Sequence, residues 1–350
     1  MADMYSWPGI LTTVLEGKNL SVSESTWAMR QVMQGEATPA QLAGFLVGLR
    51  AKGETVDEIV GFRDAILEAA VPLPVPAEVL DIVGTGGDRY GTVNVSTTAS
   101  VVVAATGIPV VKHGNRASSS KSGSSDVLAA LGVDLTQSPE RVAEVLGEVG
   151  ITFAFASAFH PGFRHAGPTR AELGIPTVFN FLGPLCNPAR AEANAVGVAH
   201  LDRVPLITGV FQTRGATALV FRGDDGMDEL TTTGHSRVWE ISRGDVREHD
   251  LDPRDLGIPR AEISDLLGGD AQHNAGIVRR VLDGEAGPVR DIVLLNAAAG
   301  IVSYRLFRDA AELQRPFVER LAEAYGEAAA AVDAGAAAAK LDAWVAASGR

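Results

Sequence analysis

The stretch Asp81-Ile82-Val83-Gly84-Thr85-Gly86-Gly87-Asp88 decides how the rest of the chain is read. The short apolar run Val79–Val83 reads as a buried strand that ends in glycines. Asn94-Val95-Ser96-Thr97 then opens a helix, expected over Thr97–Thr106 and stopped by Gly107. Glycine permits the positive-φ turns that aim successive backbone N–H groups at one centre. The helix start adds free N–H groups and the positive end of its dipole. Strand, glycine loop and helix together form an anion cradle. The plain alternative is a turn that needs glycine for its shape alone. Asn94, Ser96 and Thr97 weigh against it, because they crowd a helix start that one cap would satisfy. No Gly-Lys-Ser/Thr follows, so this is not a Walker loop; Arg89 stands where G-x-G-x-x-G needs its last glycine.

The pattern repeats downstream. Ile108–Val111 reads as a second buried strand, leading into Lys112-His113-Gly114-Asn115-Arg116 and then Ala117-Ser118-Ser119-Ser120-Lys121-Ser122-Gly123-Ser124-Ser125. A helix follows that Ser125 or Asp126 would cap. Backbone donors, hydroxyls and the cations Lys112, Arg116 and Lys121 suit an oxyanion-rich ligand. A serine-rich surface linker is the alternative, but a linker has no need of Lys-His-Gly-Asn directly after a strand. Further strands are expected at Thr152–Ala156, Asn194–Val198 and Thr217–Phe221, alternating with helical pattern at Pro139–Val149 and Val204–Thr213. Apolar strands alternating with amphipathic helices imply a mostly parallel sheet covered on both faces, with ligands at the carboxyl ends of its strands. Trp239-Glu240-Ile241 and Arg243-Gly244-Asp245 suggest one hairpin, and the chain from about Ala271 is mainly helical.

Upstream, residues 1–71 read as helices alone. Thr38-Pro39-Ala40-Gln41 supplies a cap, a first-turn proline and a capping-box glutamine, and Thr55-Val56-Asp57-Glu58 repeats the device. Val71-Pro72-Leu73-Pro74-Val75-Pro76 is a stiff extended connector and a domain boundary. The expected organisation is α/β: a small all-helical domain of residues 1–71, completed by about 160–186, beside a large α/β domain of 77–159 and 187–350 with a mostly parallel central sheet.

Composition narrows the function. The 350 residues carry a formal net charge of −13, which gives no general attraction to nucleic acid or anionic membrane. An anionic substrate therefore needs a local nest of donors or metal ions. Cys186 is the single cysteine, which excludes an internal disulfide and fits a reducing compartment. No signal peptide is read at the start and no run reaches the ~20 apolar residues of a membrane span. A soluble cytoplasmic protein is expected.

Two further segments bear on chemistry. Gly223-Asp224-Asp225-Gly226-Met227-Asp228-Glu229-Leu230 is an acidic loop after a strand. Asp228 and Glu229 would suffice for Mg²⁺, which takes a few carboxylates plus phosphate oxygens and water; Asp224 and Asp225 read as surface charge. Arg170, in the run from His160 to Arg170, has the fork to pair with a carboxylate, although an isolated arginine on a helix more often makes a surface ion pair. Thr177–Leu185 reads as a structural connector.

Gly84–Asp88, Asn94–Thr97 and Lys112–Ser124 resemble the substrate-binding motifs of the anthranilate phosphoribosyltransferase family, and the likeness extends over essentially the whole chain. It implies a nucleoside phosphorylase/phosphoribosyltransferase-like fold, usually homodimeric. The implied reaction transfers a phosphoribosyl group from phosphoribosyl pyrophosphate to the amine of anthranilate, with Mg²⁺ and two ions expected. By that resemblance Gly84, Gly87, Asp88, Thr92, Asn94, Val95, Ser96, Thr97, Lys112, His113, Gly114, Asn115, Arg116, Ala117, Ser118, Ser119, Ser120 and Ser124 would hold the donor. Ser96, Asp228 and Glu229 would hold metal. Arg170, Asn115 and the backbone at Gly84 would take anthranilate, in a pocket walled by His113, His160 and Phe163. No general base is expected; Lys112, Asn115 and Arg170 would act by electrostatics and positioning. Where related sequences often have a histidine before the glycine, this chain has Phe221-Arg222. Two rivals share the scaffold: a pyrimidine nucleoside phosphorylase, disfavoured by Asp228-Glu229 and Asn94–Thr97, and a non-catalytic nucleic-acid-binding relative, disfavoured by the acidic net charge.

Overall fold

The computed structural model describes residues 5–116 and 121–349. Its helices are α1 (Trp7–Leu15), α2 (Val22–Gln34), α3 (Pro39–Lys52), α4 (Val56–Glu68), α5 (Val95–Ala105), α6 (Ser124–Leu131), α7 (Pro139–Val149), α8 (Ala156–Phe159), α9 (Gly167–Leu173), α10 (Val204–Arg214), α11 (Ala271–Leu282), α12 (Pro288–Arg308), α13 (Phe317–Asp333) and α14 (Ala336–Ser348). The strands are β1 (Leu80–Gly84), β2 (Val110–Gly114), β3 (Ile151–Phe155), β4 (Ala193–Gly197), β5 (Thr217–Gly223), β6 (Ser236–Ser242) and β7 (Asp245–Leu251). They form one sheet in the order β3-β2-β1-β4-β5-β6-β7. The first five are parallel, and β6 and β7 add an antiparallel hairpin at one edge. Among the described residues no helix is long and apolar enough to cross a membrane.

Alternation along the strands divides the interior. Leu80 and Ile82 of β1, Ala193 and Ala195 of β4 and Leu219 and Phe221 of β5 face a core shared with α5, α12, α13 and α14. α5 is buried at nearly every position, so it shows no amphipathic stripe and lies inside the molecule. On the opposite face Val196, Val198, Ala218 and Val220 join a core with α1–α4, α10 and the segment 178–186. The helical start of the chain is thus fused to one face of the sheet by a continuous apolar interior. Each fully buried leucine or phenylalanine there contributes roughly 1.5–3 kcal/mol.

The expected cap at Thr38 is present as a reciprocal box with Gln41, and Ser21 forms another with Glu24; at Thr55 only half is made, since Glu58 accepts Thr55 N while the buried Thr55 hydroxyl has no partner among the described residues. Glu58 does more than cap. Fully buried, it accepts from Leu20 N at 2.9 Å and Thr55 N at 2.8 Å, and pairs with Lys52 Nζ at 3.0 Å. It therefore holds together the entry to α2, the start of α4 and the end of α3. At the second loop the expectation of Ser125 or Asp126 as cap is corrected. Gly123 occupies the cap position, and Asp126 closes the turn by accepting Gly123 N at 2.9 Å.

Glu58→Ala removes three interactions at a buried position and leaves the Lys52 ammonium without its carboxylate. It is expected to cost about 3–5 kcal/mol, read as a lowered midpoint in chemical denaturation; a change below about 1 kcal/mol contradicts this role.

Candidate active site

The chain leaves β1 towards β2 and β3 and returns to β4 on β1's other side. A crevice opens where the strand order reverses, outside the carboxyl ends of β1 and β4. Gly84 and Gly197 stand opposite each other there in register. Asp228 lies across both. A Cβ at Gly84 would come within 2.2 Å of Asp228 Oδ2, and one at Gly197 within 1.7 Å of the Asp228 carbonyl oxygen. Only hydrogen at both positions lets this segment close over the sheet. Gly86 N donates to Asp228 Oδ2 at 2.7 Å, and Thr85 N to Gly197 O at 2.9 Å. Gly87, at φ 91°, leaves its backbone open: a Cβ there would meet His200 Nε2 at 3.9 Å and nothing nearer.

Three carboxylates converge on this point. Burial pushes the Asp228 carboxyl up to about 7, and neighbouring Asp88 adds to the rise. Burial also raises Asp88. Glu229 is held well above the usual range by burial, then by Asp228 and Asp88. Lys112 lies beneath them, 2% exposed, its Nζ donating to Ile82 O at 2.6 Å and Ser96 Oγ at 3.3 Å. Burial lowers its ammonium, and Asp81 and Glu229 oppose that. One cation against this many carboxylates leaves a deficit of positive charge. Among the described residues no three His, Cys, Asp or Glu side chains form a complete metal cage. The arrangement suits a hard cation that keeps water and takes oxygens from its ligand, as Mg²⁺ does.

The acidic loop is tied down by residues other than these. Asp224 is exposed, but Asp225 is not merely surface charge. Its Oδ1 accepts Met227 N at 2.9 Å and its Oδ2 accepts the Thr231 and Thr233 hydroxyls at 2.6 and 2.5 Å. That turn delivers Asp228 to the crevice, and Tyr90 donates to the Asp225 carbonyl at 2.5 Å. Arg222 braces the same loop by donating to Ala199 O at 3.0 Å and Gly223 O at 3.1 Å.

Asn94 stands at the cap position of α5, yet its side chain does not cap. Its Nδ2 donates to Ser122 O at 3.1 Å, and its Oδ1 accepts from Asn274 Nδ2 of α11 at 2.9 Å. The two glycine loops are thereby joined to each other and to a helix 180 residues away. Thr92 bridges to Leu267, while Val95 and Thr97 are buried and Ser96 is partly exposed. In the second loop Ser124 Oγ donates to Asn115 O at 3.3 Å; a Cβ on Gly114 would lie 2.3 Å from that hydroxyl. Asn115 Oδ1 accepts Arg116 N at 2.9 Å and Ser157 Oγ at 3.0 Å. Arg116 and Lys121 are exposed. The expected donor residues Ala117, Ser118, Ser119 and Ser120 lie outside the described residues.

A second half-site is built of rings. His113 and His160 meet edge-on at 5.2 Å, as do Phe163 and Phe179 at 5.8 Å, while His160 and Phe163 lie tilted by 35° at 5.3 Å; Arg170 lies over Phe179 at 5.1 Å. Burial pushes His113 down to about 3 and His160 down to about 4, so both rings are neutral at pH 7. His113 Nδ1 is 3.1 Å from Gly183 O, a pure acceptor, so Nδ1 carries the hydrogen. Nε2, buried and without a partner, is left as an acceptor. Arg170 has no acidic partner among the described residues and burial alone lowers it, so the surface ion pair does not form. Thr177–Leu185 supplies the Phe179 face and the Gly183 carbonyl, which is more than a connector.

Sequence reading did not find Gly197, Phe179, Gly183, Asn274, Tyr90 or Asp225. Gly197 ends a strand without a glycine cluster to mark it, and the others act through contacts distant in sequence.

Comparison with known proteins agrees with this geometry. Residues 8–70 match the model of the glycosyl transferase family, helical bundle domain, and residues 76–338 that of the glycosyl transferase family, a/b domain. The chain is 69% identical over 347 residues, 99% of each chain, to anthranilate phosphoribosyltransferase of Leifsonia xyli subsp. xyli. It is similar to the crystal structure of anthranilate phosphoribosyltransferase (TrpD) from Thermus thermophilus, with TM-score 0.89, 42% identity and 97% and 99% of the two chains covered. It is also similar to the Saccharomyces cerevisiae enzyme in complex with PRPP and Mg, with TM-score 0.87, 26% identity and 98% of each chain covered. A carboxylate-lined crevice between two glycine loops, beside an unpaired arginine on an aromatic face, is thus found in a chain that belongs to the anthranilate phosphoribosyltransferase family.

Proposed function

We propose that this chain transfers the phosphoribosyl group of phosphoribosyl pyrophosphate to the amine of anthranilate, releasing pyrophosphate, as a step of tryptophan biosynthesis. The observation that supports it most is at the end of β2. Lys112 reaches Ile82 O and Ser96 beside the carboxylates, while the adjacent His113 turns to His160 and the ring pocket. Successive residues of a strand face opposite ways, so one strand end serves an anion half-site and an aromatic half-site together.

The donor would lie on the backbone of Gly84–Asp88 and the α5 start, with Asn94 holding that loop against the second, from which Gly114, Asn115, Arg116 and Ser124 contribute. The Ala117–Ser120 segment belongs to this assignment on the family likeness alone. Asp228, Glu229 and the Ser96 hydroxyl would hold Mg²⁺, with two ions the expected number, and Asp88 adds charge to the same place. Bound there, Mg²⁺ neutralises the charge that gathers on departing pyrophosphate. Lys112 supports Ser96 from below, and the backbone N–H groups of the glycine loop stabilise the same developing charge.

The acceptor would lie with its ring against His160 and Phe163 and its carboxylate on Arg170. Arg170 is held over Phe179 without a competing anion, so the bidentate pairing costs little rearrangement. The neutral histidines add no charge that would draw the acceptor nitrogen away from the ribose. As the C–O bond to pyrophosphate breaks, the neutral amine forms the C–N bond and afterwards sheds one proton; an aniline nitrogen needs no prior deprotonation. Catalysis is alignment and charge stabilisation. We assign residues 1–71 and about 160–186 to the helical side of the cleft. We also assign a homodimer and a cytoplasmic location; exposed Leu15, Val22 and Val47 on the helical segment supply apolar surface for the dimer.

Loss of anthranilate fluorescence with donor and Mg²⁺ tests the reaction; persistence of the fluorescence refutes it. Arg170→Ala is expected to raise the anthranilate KM about 10- to 100-fold, the loss of a charge-assisted pair, with the donor KM changed less than about threefold. Equal effects on both substrates would remove Arg170 from the acceptor site. Mg²⁺ binding should also depend on pH in a defined direction. The Asp228 carboxyl, raised to about 7, holds its proton below that value and must lose it to bind metal. Because its folded-state value is raised, ionisation of the metal-free site destabilises the fold as pH rises from about 4 to 7. Mg²⁺ offsets that loss, so its thermal stabilisation should be larger at about pH 8 than at about pH 6; the reverse order contradicts the assignment.

A further inference from the structure

A group of arginines unrelated to either half-site sits where α4, the segment after Cys186 and the end of α10 meet. Arg63 of α4 is 8% exposed, and its buried Nε has no acceptor. Its one ion pair among the described residues is Nη1 to Asp64 Oδ1 at 2.6 Å, with the Asp64 side chain 45% exposed. Arg214, the last residue of α10, stacks over Phe211 at 5.8 Å and has no carboxylate partner among the described residues. Arg190 is exposed, equally unpaired among the described residues, and held at φ 53°, a backbone conformation that disfavours any residue but glycine. Thr217 N donates to Glu192 O at 3.0 Å where β5 pairs with β4, and a Cβ at Gly209 of α10 would lie 2.5 Å from Val56 Cγ2 of α4, so the three segments adjoin and Arg63 and Arg214 each feel the charge of Arg190.

Three guanidiniums therefore face one carboxylate. Cys186, a neighbour of Arg63 and Arg214, does not redress the balance, because burial pushes its thiol up to about 12 and keeps it neutral. Desolvation and the neighbouring Arg63 charge bring the Arg214 guanidinium down to about 10. This surplus of positive charge stands in a chain whose net charge is −13. It also lies on the seam between the helical segment and the sheet. Asn187 Nδ2 donates to Val111 O at 2.8 Å and Arg190 N to Asn187 O at 2.9 Å, so the arginine-bearing turn is pinned to β2. Guanidinium forks match the oxygens of a tetrahedral oxyanion better than any monovalent ion.

We propose that Arg63, Arg190 and Arg214 form a second anion site, selective for inorganic phosphate, that ties the helical segment to the sheet from outside the substrate cleft. Phosphate there supplies the acceptors the arginines lack, relieves their repulsion and stabilises the seam.

The test is thermal unfolding of the full chain without Mg²⁺ or substrates, titrated with inorganic phosphate against chloride at matched ionic strength. The variants are Arg190→Gly and the double variant Arg190→Gly/Arg214→Gln. Phosphate should raise the wild-type midpoint more than chloride does. The double variant should show a smaller rise, with apparent phosphate affinity weakened about tenfold; any rise common to both belongs to the glycine loops. Arg190→Gly alone suits the φ there and should fold with an unchanged or higher basal midpoint, so a diminished phosphate response in it reads loss of binding. Equal phosphate responses in wild type and variants overturn the proposal, as does a wild-type response to phosphate no greater than to chloride. Neither readout depends on catalysis, so failure of the transferase assay leaves this test intact.

Discussion

The constraint on which the site rests is the contact of Asp228 with two strand ends that have no side chains. Gly84 and Gly197 face each other at the place where the parallel order reverses, and Asp228 crosses over both. A methyl at either position would occupy the space of its carboxylate or carbonyl. From this close approach follow the hydrogen bond from Gly86, the nearness of Asp88 and the position of Glu229. The crevice of an open α/β sheet is a general feature; here two glycines allow an acidic turn to fill its floor.

Electrostatics then makes the floor a place that favours a cation. Burial raises Asp88, Asp228 and Glu229, Asp88 adds to the rise at Asp228, and both add to it at Glu229, while Lys112 offsets only part of that charge. The ammonium cannot leave, since it is committed to Ile82 O and Ser96 Oγ under the loop. The opposite half-site is arranged the other way. His113 and His160 are neutral, and Arg170 carries an unanswered positive charge on an aromatic face. Under the proposed function, a carboxylate-bearing aromatic ring and a pyrophosphate with its metal would be drawn to different walls of one cleft. The same reasoning, applied to the outer seam, distinguishes the arginines around Cys186 from ordinary surface charge.

Much of the architecture is legible in local patterns. Helices α7 and α10 and strand β5 begin where the periodicity puts them, and Thr38 caps as expected. The first two strands run to Gly84 and Gly114, past the expected ends at Val83 and Val111, because their polar and glycine residues continue the ladder with β4 and β3. Local hydrophobicity is blind to that continuation. Nor does a capping pattern reveal that Asn94 gives its side chain to Ser122 and Asn274 instead of the helix start. Such a pattern describes what a residue can do alone, and here a distant partner prevails.

The strand–glycine loop–helix units, the acidic pair Asp228-Glu229 and the lone fork of Arg170 are written in the chain itself, because backbone permissiveness and side-chain charge are local properties. Family likeness then attaches substrates to them. Folding alone places Gly197 beside Gly84, makes Asp225 the organiser of the acidic turn, and sets Arg170 on Phe179 with no ion-pair partner among the described residues. It also sends Lys112 and His113, neighbours in the chain, to opposite walls of the cleft. The physical reason is the same in each case: burial, stacking and close approach depend on what the rest of the chain brings to a residue.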